Sequence, residues 1–291
     1  MAPLIDEIHR VVYVDGIYLG RKAVILIAKS DDYVLGWYLA RTENSVAWEA
    51  LLSRIAPPKM VVSDGGSGFE KARKRVWGDT AVQRCTFHVF CQVKRYTTTR
   101  PNLAAGIELY GLARELLHIK DLKSADRWVE RYIKWCQDWE SFLNEKTYDD
   151  NRNWVWTHER LVKARNSLNT LIHKGTLFTY LDPRLTDDRP LPTTNNKIEG
   201  GVNALLRQLL RDHRGMSIDR RIKAIFWWCY MHTEYPLSPA QILKTFPTDD
   251  GINSLYRSYT KAKEQDGPQR WGDGIVWSEF HGSDPYRMDY D

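Results

Sequence analysis

Residues 23–28 read AVILIA, an unbroken apolar and largely β-branched run between Lys22 and Lys29. Such a run is the pattern of a strand buried on both faces, so it demands covering layers above and below it. Ahead of it, VVYVDGIYLG alternates and predicts a strand carrying Asp15. After the turn-like Ser30-Asp31-Asp32, YVLGWYLA predicts a third strand. SVAWEALLSRI has helical spacing, with Ser45 as its expected N-cap and Pro57-Pro58 closing it. KMVVSDGG predicts a fourth strand ending at Asp64, residues 67–77 a helix, and AVQRCTF a fifth strand. The order of three strands, helix, strand, helix, strand predicts an α/β fold with a mixed sheet flanked by helices.

From residue 101 the pattern changes to amphipathic helices. Leu122, Ala125, Val129, Tyr132, Ile133 and Cys136 recur at three- and four-residue spacing, as do Leu161, Ala164, Leu168, Leu171 and Ile172. His173-Lys174-Gly175 is an expected helix end. Trp128, Trp135, Trp139, Trp154 and Trp156 are expected mostly in the core of this helical region. TTNNKIEGGVNALLRQLLRDHRG then predicts a capped helix bearing Glu199, and a further helix carries Ile218, Ile222, Ile225, Phe226 and Cys229 on one face. The organisation read from these patterns is a first part of an α/β core (1–100), an all-α insertion (101–190), a second part of the core (191–235) and an irregular tail (236–291). The last part of that tail is polar and expected to be loosely held.

A chain of 291 residues can bury a sizeable core. No apolar run approaches the roughly 20 residues needed to span a bilayer, and MAPLIDEIHR lacks the regions of a secretory signal. A cytosolic protein without a membrane partner is therefore expected. The four cysteines, Cys85, Cys91, Cys136 and Cys229, are too scattered for a disulfide scaffold. A formal charge of +5 fits a polyanionic partner without demanding one. The basic residues are unevenly spread: Lys94 and Arg95 belong to one cluster, and Arg207, Arg211, Arg214 and Arg221 to another.

Asp15 sits within an apolar strand and Asp64 at the end of another. Charged carboxylates at such positions cost several kcal/mol unless paired or metal-bound. With Glu199 as a third ligand, an all-oxygen set suits Mg²⁺ or Mn²⁺. Two such ions can activate an attacking oxygen and stabilise a leaving one at phosphorus. VDG and SDGG are also ordinary strand-end turns, and each acidic residue alone fits a purely structural role. Their combination in this element order points to one site.

VDG at Asp15, SDGGSGF at Asp64, CTFHVFCQVKR from Cys85 and TTNNKIEGGVNALLR around Glu199 resemble bacterial insertion-sequence transposases of the DDE class, in the Mutator-related group. The element order is also that of the ribonuclease-H-like fold. The resemblance runs over residues 11–235. It implies a ribonuclease-H-like core with a helical insertion, which hydrolyses the strand at a transposon end and uses the freed 3′-hydroxyl to attack target DNA. It implies Asp15, Asp64 and Glu199 as ligands of two Mg²⁺ or Mn²⁺ ions, and double-stranded DNA as partner, bound by a homo-oligomer. A bacterial protein associated with the nucleoid when on DNA follows.

Cys85 and His88 match the family's Cys-x-x-His. A histidine there could hydrogen-bond a scissile phosphate oxygen or an attacking water, with Cys85 packed beneath it. Buried structural roles and zinc ligation by Cys85, His88 and Cys91 are the alternatives. Asn195 and Asn196 are expected to cap the glutamate helix or orient Glu199. Asn203 and Arg207, four and eight residues after Glu199, are expected to touch DNA phosphates, with Arg211, Arg214 and Arg221 extending the track. Such transposases usually carry an N-terminal module for recognising their ends. The catalytic strand here begins within the first fifteen residues, so a partial product or a chain acting with another protein is expected. The competing functions are a nuclease of the same fold without strand transfer, and an inactive regulatory DNA-binding derivative.

Overall fold

The computed structural model describes residues 4–148, 153–186 and 189–245. Its first elements are β1 (Val11–Leu19), β2 (Ala23–Lys29), β3 (Val34–Ala40), α1 (Ser45–Leu52), β4 (Met60–Ser63), α2 (Ser67–Val76) and β5 (Ala81–Arg84). There follow α3 (Thr86–Thr97), α4 (Ala104–Glu115), α5 (Leu122–Asp138), α6 (Glu140–Leu143), β6 (Lys146–Tyr148), β7 (Trp154–Trp156) and α7 (Glu159–His173). A π-helix (Lys197–Asn203) leads directly into α8 (Ala204–Asp212), then α9 (Ile218–Met231) and α10 (Pro239–Thr245). A five-stranded mixed sheet has the order β3-β2-β1-β4-β5, and β6 pairs with β7 in a separate ribbon. The tail expected to be loosely held lies, beyond residue 245, outside the described residues.

The chain forms two compact units, Met1–Val61 with Gly65–Thr80 and Asn196–Asp291, and Val62–Asp64 with Ala81–Asn195. In the first unit, β1–β2 and β2–β3 are antiparallel, and Asp15 stands opposite Ile27. Six of the seven β2 residues are buried, as the AVILIA run requires. Each fully buried Val, Leu or Ile contributes about 1.5–3 kcal/mol. Helices α1 and α2 pack on each other, with Trp48 edge-on to Phe69 at 5.2 Å. The α1 N-cap is Asn44, not Ser45: its side chain accepts from the Ala47 N–H at 3.0 Å, which leaves Ser45 as the first helical residue. On α9, Ile218, Ile222, Ile225 and Cys229 are buried, and Phe226 meets Trp37 of β3 edge-on at 6.1 Å.

In the second unit, α3 packs against α4 and α7. Strand β5 stops at Arg84, shorter than the AVQRCTF run, because Cys85 already serves as the N-cap of α3. The α5 face is set by Ala125, Trp128, Tyr132 and Trp135, while Leu122 and Ile133 are exposed. The three aromatic rings stack in series, at 5.4 and 6.1 Å between centroids. Of the five tryptophans expected in the core, Trp128 and Trp135 are buried, with their indole N–H groups donating to the Leu112 and Ala105 carbonyls. Trp139 and Trp156 are half-buried and Trp154 is exposed. The last two belong to β7, so the region expected to be all-helical also holds a β-ribbon. Its alternating aromatic and β-branched residues favour the extended form. Helix α7 ends at His173, and Gly175 takes the left-handed conformation (φ 63°) that a helix stop favours. No helix among the described residues is long and apolar enough to cross a membrane.

Candidate active site

Asp15 is the one half-buried residue in the first seven of β1, whose other six are buried. Its Oδ1 accepts the Gly16 N–H at 2.8 Å and its Oδ2 accepts the Asn203 side-chain amide at 2.5 Å. Asn203 closes the π-helix that packs on β1 and is fully buried. A buried carboxamide is stabilised only by such partners, so the Asp15–Asn203 bond fixes both side chains. The Asn203 Oδ1 is buried and accepts no hydrogen bond within the protein.

The start of the π-helix is pinned as well. Lys197 donates to Asp31 Oδ1 at 2.5 Å, and the same oxygen accepts the Tyr13 hydroxyl at 2.9 Å. Tyr13 lies two residues before Asp15 and so on the same side of β1. Lys29 fastens the turn from below, donating to the Ser30 and Asp31 carbonyls at 3.0 and 2.9 Å. Burial pushes the Asp31 carboxyl up, but hydrogen bonds from Lys197 and Tyr13 outweigh it, so its pKa lies below the ordinary value. Burial, then the neighbouring Asp31 charge, drives the Tyr13 phenol far above its usual range.

Glu199 lies between these two anchors. The expected capped α-helix is a π-helix here, with the Ala204 N–H donating to the Glu199 carbonyl five residues back. Single π turns are rare and concentrate at functional sites. Gly200 fits the tightness of this turn: a Cβ there would stand 2.6 Å from Asn196 Oδ1. Asn196 is exposed and makes no side-chain capping bond.

A second cluster belongs to the other unit. Asp64 follows β4 and precedes Gly65, whose φ of 83° makes the turn. The Cys85 N–H donates to the Ser63 carbonyl at 2.9 Å, which ties the start of α3 to the end of β4. The Thr86 N–H donates to the Thr193 carbonyl at 3.0 Å, and the buried Asn195 donates its backbone N–H to Cys85 Sγ at 3.2 Å. Cys85 thus packs as a buried sulfur beneath the segment 193–195, and half-buried His88 follows in the first turn of α3. Arg84 carries a guanidinium whose Nη1 is buried without a hydrogen-bond partner. Burial lowers its pKa, and the Asp64 charge opposes that shift. In the sequence Arg84 counts only as one of a cluster of basic residues and Asp31 only as a turn residue, while Tyr13 and Lys197 carry no sign of a role here. Only Arg84 had a local signal, as a cation at a strand end beside Cys85.

The basic residues divide. Arg207, Arg211 and Arg214 are exposed, as is Arg95, while Lys94 is half-buried with its ammonium 6.0 Å from the Phe90 ring centre. Arg221 is buried and donates to the Met216 and Arg214 carbonyls at 3.0 and 2.6 Å, closing the turn between α8 and α9. Asn203 and Arg221 therefore spend their donors within the fold, not on a solvent-facing track.

Residues 7–171 match the profile of the Mutator family of transposases. The chain belongs to that family. No curated protein matches it. The matched segment of this Mutator-family chain includes Asp15, Asp64, Cys85 and His88, whereas Asn195, Glu199 and Asn203 lie beyond it.

The anchoring of the π-helix yields a first expectation. Asp31→Asn should cost about 1 kcal/mol or less near pH 7, since this pair is partly exposed and screened. The Asp31 pKa is depressed in the folded state, so its contribution is full above the unfolded value near 4 and fades as pH falls through the folded one. Urea unfolding of parent and variant should therefore differ at pH 7, and the difference should shrink as pH falls below the unfolded value near 4. A constant difference across that range would remove the Asp31 charge from the account.

Proposed function

We propose that the protein is the catalytic core of a DNA transposase with a ribonuclease-H-like fold, in which Asp15, Asp64 and Glu199 carry the chemistry as ligands of Mg²⁺ or Mn²⁺. The observation that carries this reading is the environment of Asp15 in a chain of the Mutator family. A carboxylate in a largely buried strand is held by a buried amide from the very helix that bears Glu199. Its hydrogen bonds to the Gly16 N–H and the Asn203 amide hold the carboxylate in a set orientation. The unpartnered Asn203 Oδ1 is a further acceptor beside it, suited to a metal-bound water. Three carboxylates give the hard all-oxygen donor set that divalent Mg²⁺ or Mn²⁺ takes. Two bound ions would supply activation of the attacking oxygen and stabilisation of the leaving one.

The residues of the chain supply position. Asn203 holds the Asp15 carboxylate in one orientation. Lys197 and Asp31 hold the start of the helix on which Glu199 stands. His88 hydrogen-bonds a scissile phosphate oxygen or the attacking water, over the packed Cys85 sulfur. Arg84 offers a cation near Asp64. The exposed Arg207, Arg211 and Arg214 meet DNA phosphates, and a homo-oligomer assembled on double-stranded DNA brings ends and target together.

His88→Ala should slow single-turnover cleavage by roughly a hundredfold, the usual worth of one positioned proton or hydrogen-bond donor, with little loss of DNA binding. Equal rates in parent and variant would remove His88 from the mechanism. A joined-product assay with a pre-cleaved DNA end separates the transposase from a nuclease of the same fold: strand transfer yields a product longer than the donor strand, and hydrolysis alone does not.

A further inference from the structure

The ribbon in the second unit is unusual in what it leaves in solvent. Tyr148 is 64% exposed, Val155 62% and Trp154 46%. Two short strands bearing large side chains gain little from folding alone. Lys146 lies over these rings, its ammonium 4.1 Å from the Trp154 centroid and 5.5 Å from that of Trp156. Trp154 and Trp156 are edge-to-face at 5.0 Å.

Trp156 also lines a cavity of about 480 Å³ together with Thr98, Arg100, Leu103, His158 and Arg160. This volume is within the range of small-ligand sites. The walls are fixed. His158 stacks on Phe142 at 3.6 Å between ring centres and is bonded to Glu145 at 3.0 Å. Arg160 donates to the Arg95 carbonyl. The carboxylate at the rim, Glu159, is neutralised by Lys163 at 2.6 Å. Arg100 is exposed and makes no hydrogen bond or ion pair among the described residues. Next to it, Thr98 holds a φ of 73°, a backbone conformation that β-branched residues avoid and that recurs at ligand clamps.

A fixed aromatic wall, an exposed guanidinium with no partner among the described residues and exposed rings with a cation above them suit a polyanion that presents flat π faces. A base within a duplex has its faces covered by its neighbours, so only an unpaired one can enter. Resting on the reading of the chain as a DNA enzyme, we propose that this cavity binds a single unpaired nucleotide of a DNA strand. Its base stacks on Trp156, its phosphate pairs with Arg100, and the strand continues over Trp154 and Tyr148.

The test uses the full chain in EDTA, so that no step depends on the acidic trio, and two fluorescent DNA duplexes. They share one sequence, but one is blunt and the other carries a two-nucleotide overhang with 2-aminopurine. The parent should bind the overhang duplex about tenfold more tightly and quench the 2-aminopurine, as expected for one base stacked on an aromatic ring. Trp156→Ala should abolish the preference and the quenching while leaving blunt-duplex affinity within twofold, and Trp156→Phe should keep both. Arg100→Ala should weaken overhang binding severalfold and lower the slope of log affinity on log salt by about 1. Blunt binding without an overhang preference in the parent, or a preference that survives Trp156→Ala, overturns the pocket and leaves the transposase reading standing. Binding of neither duplex overturns both. Trp154→Ala converting a sedimenting dimer to a monomer with the overhang preference intact would make the ribbon an interface between copies and overturn the path of the strand over Trp154.

Discussion

Asp64→Asn is expected to reduce strand cleavage and strand transfer by roughly a thousandfold, equivalent to about 4 kcal/mol of lost transition-state stabilisation. The substitution is nearly isosteric, and Asp64 is only half-buried in a turn made by Gly65. Folding should therefore survive it. On the proposed mechanism, what is lost is a full negative charge and with it a ligand to a divalent ion, whose field would act on the reacting phosphate. Asp15→Asn should do the same to the rate. Duplex binding, which the proposal assigns to the exposed arginines, should change by less than about threefold in either variant. Single-turnover rates with an end-labelled duplex check this. Retained activity in Asp64→Asn would place the chemistry elsewhere.

The second large effect concerns stability. Asn203→Asp places a carboxylate at a fully buried position, in contact with Asp15 in place of an amide that now donates to it. The bond is lost, and two like charges face each other, the new one at a fully buried position. A cost of about 3–5 kcal/mol is expected at pH 8, as for a buried charge left without its partner. The sign of its pH dependence follows. Burial and the like charge raise the new carboxyl's folded pKa above its unfolded value near 4. The folded state then binds the extra proton more tightly, so the penalty shrinks as pH falls toward 4 and is largest above the folded pKa. Millimolar Mn²⁺ should recover part of the loss, because a cation relieves the repulsion. Urea titrations at pH 5 and pH 8, with and without Mn²⁺, measure all of this. An unchanged midpoint at pH 8 would show that Asn203 does not hold Asp15 as described.

Much of the architecture was legible because it rests on short-range pattern. AVILIA had one plausible form, and the turns at Ser30-Asp31 and Asp64-Gly65 bracket strands that pattern alone defines. Asp15 and Asp64 stood out because a carboxylate in or beside an apolar strand needs a reason. The errors came where neighbours compete. Asn44 and Ser45 are both good caps, and only the Asn44 side chain reaches the Ala47 N–H. Trp154 and Trp156 looked like core by composition, but their alternation in WVW is the local mark of a strand, and a two-stranded ribbon cannot bury both faces.

The candidate site was legible only in its charges. Spacing in the sequence gives no sign that the Glu199 turn is a π-helix, and the partners that hold its two ends lie far off in the chain. Lys197 reaches Asp31, 166 residues away in the chain, and Asn203 reaches Asp15, 188 away. Asn203 and Arg221 read as DNA contacts because polar residues on an amphipathic helix are usually solvated. Their burial is set by partners, Asp15 in one case and backbone carbonyls in the other, that only the tertiary structure brings close.

Isothermal titration of Mn²⁺ into the parent protein and the Asp64→Asn variant tests the central claim most directly, because it needs neither a DNA substrate nor turnover. The parent should show a saturable binding isotherm that Asp64→Asn weakens at least tenfold. Superimposable isotherms for the two proteins would contradict a metal-dependent transposase built on the acidic trio.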